Sequence, residues 1–190
     1  MCGRYLFQDE TGDERVRAIL AMMAREGAAD YKTGEIFPGD AAPALIAQGG
    51  ALKPVPATFG FTGFDGKRLL INARCETAAQ KPTFAQAMRT QRAVMPAAGF
   101  YEWSHDGRKT KYLFTLEGEQ TIYLCGLYRM EADVCRFVVL TRAANESMAD
   151  VHDRMPVIAR AQDVRAFLTD YEAALTLIER PGPTLVRRVA

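Results

Sequence analysis

Between residues 92 and 141 the chain breaks into short β-branched and aromatic runs separated by polar turns, a pattern few folds accept. The runs fall at residues 92–103, 110–116, 121–129 and 135–141. The links at 104–108 and 117–120 are short, polar and glycine-bearing, which suits hairpins. Strands joined serially in this way build an antiparallel sheet or barrel. Residues 3–7 read as a further strand, and Asp13 can cap a helix to about Arg25 because Val16, Ile19, Leu20 and Met23 recur at helical spacing. Two more strands, at 43–48 and 52–61, flank Gly49-Gly50. Residues 59–66 read as a glycine-punctuated loop displaying Phe59, Phe61 and Phe64. After a short apolar run at 69–71, residues 72–88 read as two short helical turns broken at Pro82. Residues 154–159 are extended, since Met155 precedes Pro156. Helices follow at 161–168 and 171–179, and a last strand comes after Pro181-Gly182-Pro183. The expectation is an α+β fold: one domain over residues 1–190, with a mainly antiparallel sheet or barrel-like core flanked by short helices.

Composition narrows the function classes. A chain of 190 residues that is 48% hydrophobic and 25% charged can bury a full core without covalent staples. No apolar run approaches a membrane span, and the start lacks a signal-peptide layout. The cysteines Cys2, Cys75, Cys125 and Cys135 form no CxxC pair, and His105 and His152 are the only histidines. Neither a structural zinc site nor a disulfide framework is expected, which points to the reducing cytoplasm. The net charge of +1 is uneven: residues 67–111 hold nine Lys and Arg against Glu76, Glu102 and Asp106. Such a basic middle is either a solvated face or a local phosphate-binding patch, and charge alone does not choose.

Four short segments hold chemistry. If Met1 is removed, Cys2 becomes an N-terminal 1,2-aminothiol, with an amine near pKa 8 and a thiol near 8.5. Both are nucleophiles at neutral pH; with an aldehyde, the amine forms an imine and the thiol closes a thiazolidine. The plainer alternative is a cysteine that merely follows methionine. In Asn72-Ala73-Arg74, the asparagine is either a helix cap or a functional residue, and Arg74 is suited to a phosphate. In Phe100-Tyr101-Glu102-Trp103, strand alternation puts Glu102 with Phe100 and sets Tyr101 and Trp103 opposite. A carboxylate on an apolar face suits proton transfer, while a strand-end ion pair is the alternative. His152 sits in Val151-His152-Asp153-Arg154-Met155-Pro156, and His105, in a Ser-His-Asp-Gly turn, reads as solvated. The common hydrolase and phosphate-loop motifs are missing.

Four stretches run in order from Met1 to about residue 158. They are Met1-Cys2-Gly3-Arg4-Tyr5; Ile71-Asn72-Ala73-Arg74-Cys75-Glu76-Thr77 with Lys81-Pro82-Thr83-Phe84; Pro96-Ala97-Ala98-Gly99-Phe100-Tyr101-Glu102-Trp103; and Ala144-Asn145 followed by His152-Asp153-Arg154-Met155-Pro156. Together they resemble the SRAP family, the SOS response-associated peptidases that shield abasic sites in DNA. The resemblance implies a single α+β domain with a positively charged groove for single-stranded DNA. It implies loss of Met1, Cys2 as the nucleophile toward the ring-opened sugar, Asn72 holding that sugar, Glu102 moving protons and His152 assisting ring opening. Arg4, Arg74 and Arg154 match phosphate-holding positions, and Trp103 supplies stacking area. A monomer with no metal and no cofactor is implied. Two departures fall where DNA would stack: Phe59-Gly60-Phe61 replaces a common Trp-Gly-Leu, and Glu35-Ile36-Phe37-Pro38 replaces an Arg-Tyr-Asn type of segment. The residues also admit a cysteine-dependent peptidase or amidase using Cys2, Glu102 and His152, or a noncovalent single-strand binder.

Overall fold

The structure, a computed structural model, describes residues 2–10, 12–105 and 107–190. Its elements run β1 (Arg4–Phe7), α1 (Glu14–Arg25), β2 (Gly34–Ile36), β3 (Ala41–Gln48), β4 (Ala51–Phe59), β5 (Phe61–Thr62), β6 (Leu69–Leu70), β7 (Asn72–Arg74), α2 (Cys75–Ala78), α3 (Pro82–Thr90), β8 (Arg92–Ala97), β9 (Gly99–Trp103) and β10 (Lys111–Thr115). Then come β11 (Ile122–Glu131), β12 (Val134–Ala143), β13 (Arg154–Pro156), β14 (Ile158–Ala159), α4 (Ala161–Thr169), α5 (Tyr171–Glu179) and β15 (Val186–Val189). This is the expected α+β class.

A five-stranded antiparallel sheet runs β15-β10-β9-β1-β2. The larger sheet runs β12-β4-β3-β8-β11, and β11 pairs back onto β12, so the strands form a ring. It is not a clean barrel, because β12 meets β4 in parallel over only two residue pairs. Beyond that contact β12 takes β7 on the same edge, again in parallel, and β13 on the other edge. The C-terminal half of β12 therefore carries Asn72-Ala73-Arg74 on one side and Arg154 on the other.

Strand alternation explains why the ring strands are apolar almost throughout. Met95, Leu124, Phe137 and Val139 face one core, whereas Val94, Cys125, Val138 and Leu140 face a second. The first core lies between the two sheets and is aromatic: Phe59 stacks on Phe137 at 4.9 Å, and Phe100 on Phe114 at 5.3 Å. The second packs the ring against Phe84 and Met88 of α3, Phe167 and Leu168 of α4, and Leu177 and Ile178 of α5. Asp13 caps α1 as expected, accepting from the Arg15 backbone N–H at 2.9 Å.

Several expectations are corrected. Phe59 and Phe61 are buried rather than displayed, and only Phe64 projects into solvent. Residues 72–74 form a strand, because pairing with Val139 to Thr141 outweighs any helical preference. Asn72 is therefore no helix cap; the residue flanking α2 is Arg74. Pro82 opens α3 at its first turn, where its missing N–H costs nothing. The 104–108 link is a hairpin between β9 and β10, but the 117–120 link is not, since it carries the chain from one sheet to the other. The basic middle is not one patch: Arg92 is buried and donates to the Phe167, Leu168 and Met88 carbonyls, closing helix ends. Among the described residues, no helix is long and apolar enough to cross a membrane.

Candidate active site

β1 lies against β9 with Tyr5 opposite Phe100 and Arg4 opposite Tyr101. Partners across a ladder share a face, so Tyr5, Phe100 and Glu102 point inward while Arg4, Tyr101 and Trp103 point out. The segregation expected for Glu102 is thus present. Cys2 precedes β1 and is buried, with its thiol 3.9 Å from the Arg4 carbonyl. Asn72, brought in by β7, donates from Nδ2 to the Cys2 carbonyl at 3.1 Å and to Val139 O at 3.5 Å. Its Oδ1 is buried and has no partner among the described residues. Such an acceptor is costly to leave unmet, and it belongs to the same amide whose Nδ2 is bonded to the Cys2 carbonyl.

Glu102 is 5% exposed, and its charge reaches both Cys2 and His152. Burial first, and then the Glu102 carboxylate, push the Cys2 thiol well above its ordinary value. Burial lowers the His152 pKa below 6.5, with Glu102 opposing and His105 adding to the fall. The neutral imidazole that results accepts the Arg154 backbone N–H at Nδ1, 2.9 Å away, which leaves the proton on Nε2. Asp153 Oδ1 also lies 2.8 Å from Nδ1, a contact that becomes an ion pair only when the ring is protonated.

The loop holding His152 is built by turns on Asn145, whose carbonyl receives Met148 N and Ala149 N. The Asn145 side chain donates to the Gly182 and Pro183 carbonyls at 3.1 and 2.9 Å, pinning the loop to the last segment of the chain. Within the fourth motif, Asn145 therefore holds the backbone that carries the histidine.

The structure gathers Cys2, Asn72, Glu102 and His152 from four separated segments. It distributes the expected DNA contacts around them. Arg74 is exposed at the end of β7. Arg154 is not a free cation: it forms a two-pronged bridge to Glu76 at 2.6 and 2.8 Å and donates to the Thr141 carbonyl at 2.7 Å. That bridge holds the Glu76 carboxyl down to about 2. Arg4 and Trp103 share the outer face, with the Arg4 guanidinium carbon 4.8 Å from the Trp103 ring centroid.

Two residues that sequence reasoning did not select also stand here. The His105 ring meets the His152 ring edge-on with centroids 5.2 Å apart, so it is not simply solvated. No local signal could have shown this, because the contact joins the β9–β10 hairpin to the loop before β13. Lys111 sits opposite Trp103 in the hairpin register and forms an ion pair with Glu35, as Arg4 does. A hairpin register read from residues 104–110 would have found Lys111.

The two sheets together bring Cys2, the Asn72 amide, the buried Glu102 carboxylate and His152 into one region, a set of groups suited to cysteine-centred chemistry with proton transfer. Residues 1–184 match the SOS response associated peptidase (SRAP) family, and the chain belongs to it. Similar proteins include the abasic site processing protein YobE of Bacillus subtilis strain 168, 35% identical over 106 residues, covering 52% of this chain and 48% of YobE. The chain thus spans about half the length of that relative. The abasic site processing protein YedK of Escherichia coli K12 is 27% identical over 177 residues, covering 88% of this chain and 79% of YedK. A crystal structure of a Bacteroides thetaiotaomicron protein shares the fold, with a TM-score of 0.79 at 16% identity, covering 99% of this chain and 91% of that one.

Proposed function

We propose that this protein binds single-stranded DNA and links itself covalently to abasic sites through Cys2, once Met1 has been removed, and so shields the lesion. In the linking reaction the Cys2 α-amine adds to the C1′ aldehyde of the ring-opened deoxyribose, and the carbinolamine loses water to give an imine. The thiol then adds to the imine carbon, its proton passes to nitrogen, and a five-membered thiazolidine results. The net change is aldehyde plus aminothiol to thiazolidine plus one water. Glu102 moves the protons for sugar opening and dehydration, and the Nε2–H of His152 hydrogen-bonds the sugar oxygen. Asn72 Oδ1 supplies an acceptor for the amine or a sugar hydroxyl. Removal of Met1 is a hydrolysis in which water adds to the Met1 carbonyl and the Cys2 amine leaves, with Glu102 taking the proton from water. Arg4 and Arg74 would contact phosphates, Arg154 would do so only on release from Glu76, and Trp103 would stack on a base, with the protein acting as a monomer on DNA in the cytoplasm.

The observation that carries this reading is the Asn72 amide on the Cys2 carbonyl, with Glu102 close enough for its charge to act on both Cys2 and His152. The abasic-site names of the YobE and YedK relatives agree with it. A broader cysteine-peptidase reading needs a ready thiolate, and burial of Cys2 counts against one. The test is a denaturing gel of protein, confirmed by mass to begin at Cys2, mixed with abasic and intact single-stranded oligonucleotides. A heat-stable adduct is expected with abasic DNA alone. Cys2→Ala should lose it, keeping at most a borohydride-trappable imine. Undiminished stable adduct from Cys2→Ala would exclude the thiazolidine.

A further inference from the structure

On the outer face of the five-stranded sheet, two cations share one carboxylate. Glu35 of β2 accepts from Lys111 Nζ at 3.0 Å through Oε1 and 2.9 Å through Oε2, and from Arg4 Nη1 at 3.3 Å. Both cations rest on rings: the Arg4 guanidinium carbon is 4.4 Å from the Phe37 centroid, and Lys111 Nζ is 4.0 Å from that of Tyr101. The side chains of Glu35 and Lys111 are 25% and 27% exposed, so solvent screens the cluster only in part. Burial works against the Glu35 charge, but the hydrogen bonds from Lys111 and Arg4 outweigh it and lower its pKa, so it is ionised at neutral pH.

The arrangement is a two-oxygen anion seated between an arginine and a lysine, bordered by aromatic rings. A phosphodiester flanked by nucleobases presents the same pattern: two anionic oxygens for the cations and flat faces for the rings. We propose that Glu35 is an internal stand-in for a DNA phosphate, occupying the Arg4–Lys111 site in the free protein until a strand exchanges a phosphate for it. The inference rests on the DNA-binding reading above. Its consequence is selectivity. Exchange weakens the hold on intact DNA, so strands retained for long are those captured covalently.

A merely structural role predicts the opposite sign. If Glu35 braced Arg4 and Lys111 for DNA, neutralising it would loosen both and weaken binding. The test measures intact single-stranded oligonucleotide binding by fluorescence anisotropy across salt concentrations, using the full chain. Glu35→Gln should bind about fivefold more tightly than wild type at low salt, the scale of released partly exposed ion pairs. Adding Lys111→Met should cancel most of the gain and lower the slope of log K against log salt by about 0.7. Glu35→Ala carries the same expectation, so a folding defect in one variant leaves the other as the test. Equal or weaker binding by both variants, with wild type binding normally, overturns the stand-in alone. If no protein binds single-stranded DNA, the DNA-binding reading falls, and this inference falls with it.

Discussion

In the proposed reaction His152 acts as a neutral ring, its pKa lowered by burial. With Nδ1 occupied by the Arg154 amide, the neutral ring offers Nε2–H as a hydrogen-bond donor that can polarise a sugar oxygen without giving up its proton. In the same proposal Glu102 is the proton acceptor. Replacing either group, as Glu102→Gln or His152→Ala, should slow adduct formation at least about tenfold while intact-strand binding stays nearly normal. Stopped-time gels on mass-verified protein measure the first quantity, and anisotropy the second. Wild-type rates from both variants would reduce the site to Cys2 and Asn72. The pH profile carries a second expectation. Burial lowers the His152 pKa, and a proton on Nδ1 would displace the Arg154 amide that orients the ring, so adduct formation should fall as the pH drops below 6.5. His105 lowers the His152 pKa, so His105→Asn should move that acid limb to higher pH. A limb that stays in place would make His105 a bystander.

The strand that aims Glu102 depends on a glycine at its start. A Cβ on Gly99 would lie 2.5 Å from the Phe114 carbonyl oxygen and 2.9 Å from Leu113 Cδ1. The first obstacle is backbone, so no rotamer relieves it, and β9 and β10 would have to separate three residues before the carboxylate. Gly99→Ala should cost about 1–3 kcal/mol in urea unfolding and reduce adduct yield through a displaced Glu102. Gly12→Ala meets only the flexible amide end of Gln120 at 3.0 Å, and should change stability by less than about 0.5 kcal/mol. Equal effects from the two would remove the packing argument. At this scale the sequence was readable where an element answers to its own residues. Asp13 and the spacing of Val16, Ile19 and Met23 place α1 because capping and amphipathic burial are local. Asn72 was readable as a polar residue of note but not as a strand residue, because its conformation is set by Val139 of β12, distant in the chain. Phe59 and Phe61 misled for the same reason: glycine neighbours suggest a loop, while the ring's core claims the rings.

At the scale of the molecule, the site exists only because two sheets close over one core and bring four segments together. The identity of Cys2, Glu102 and His152 is local chemistry, and strand alternation alone put Glu102 on the inner face. Their convergence, the Glu35 clamp and the His105 contact are products of ring closure and hairpin register, which a single sequence does not encode in any short window. Closure is also guarded by charge at its margins. Asp13 receives the Arg15 amide and guanidinium, and that hydrogen bonding holds its carboxyl at about 2; Glu76 is held at about 2 by Arg154. Depressed carboxylate pKa values stabilise the fold above the unfolded values of 3.8 and 4.5, and that stability drains away as pH falls toward 2. Glu76 is half exposed, so its share is screened, whereas Asp13 is 7% exposed and should account for about 2 kcal/mol. Asp13→Asn keeps a capping oxygen but cannot titrate. Urea unfolding at pH 6 and pH 2.5 should therefore show a smaller loss of stability in Asp13→Asn than in wild type, by about 1–2 kcal/mol. An identical loss in both proteins would mean that the Asp13–Arg15 bridge does not link α1 to the acid stability of the fold.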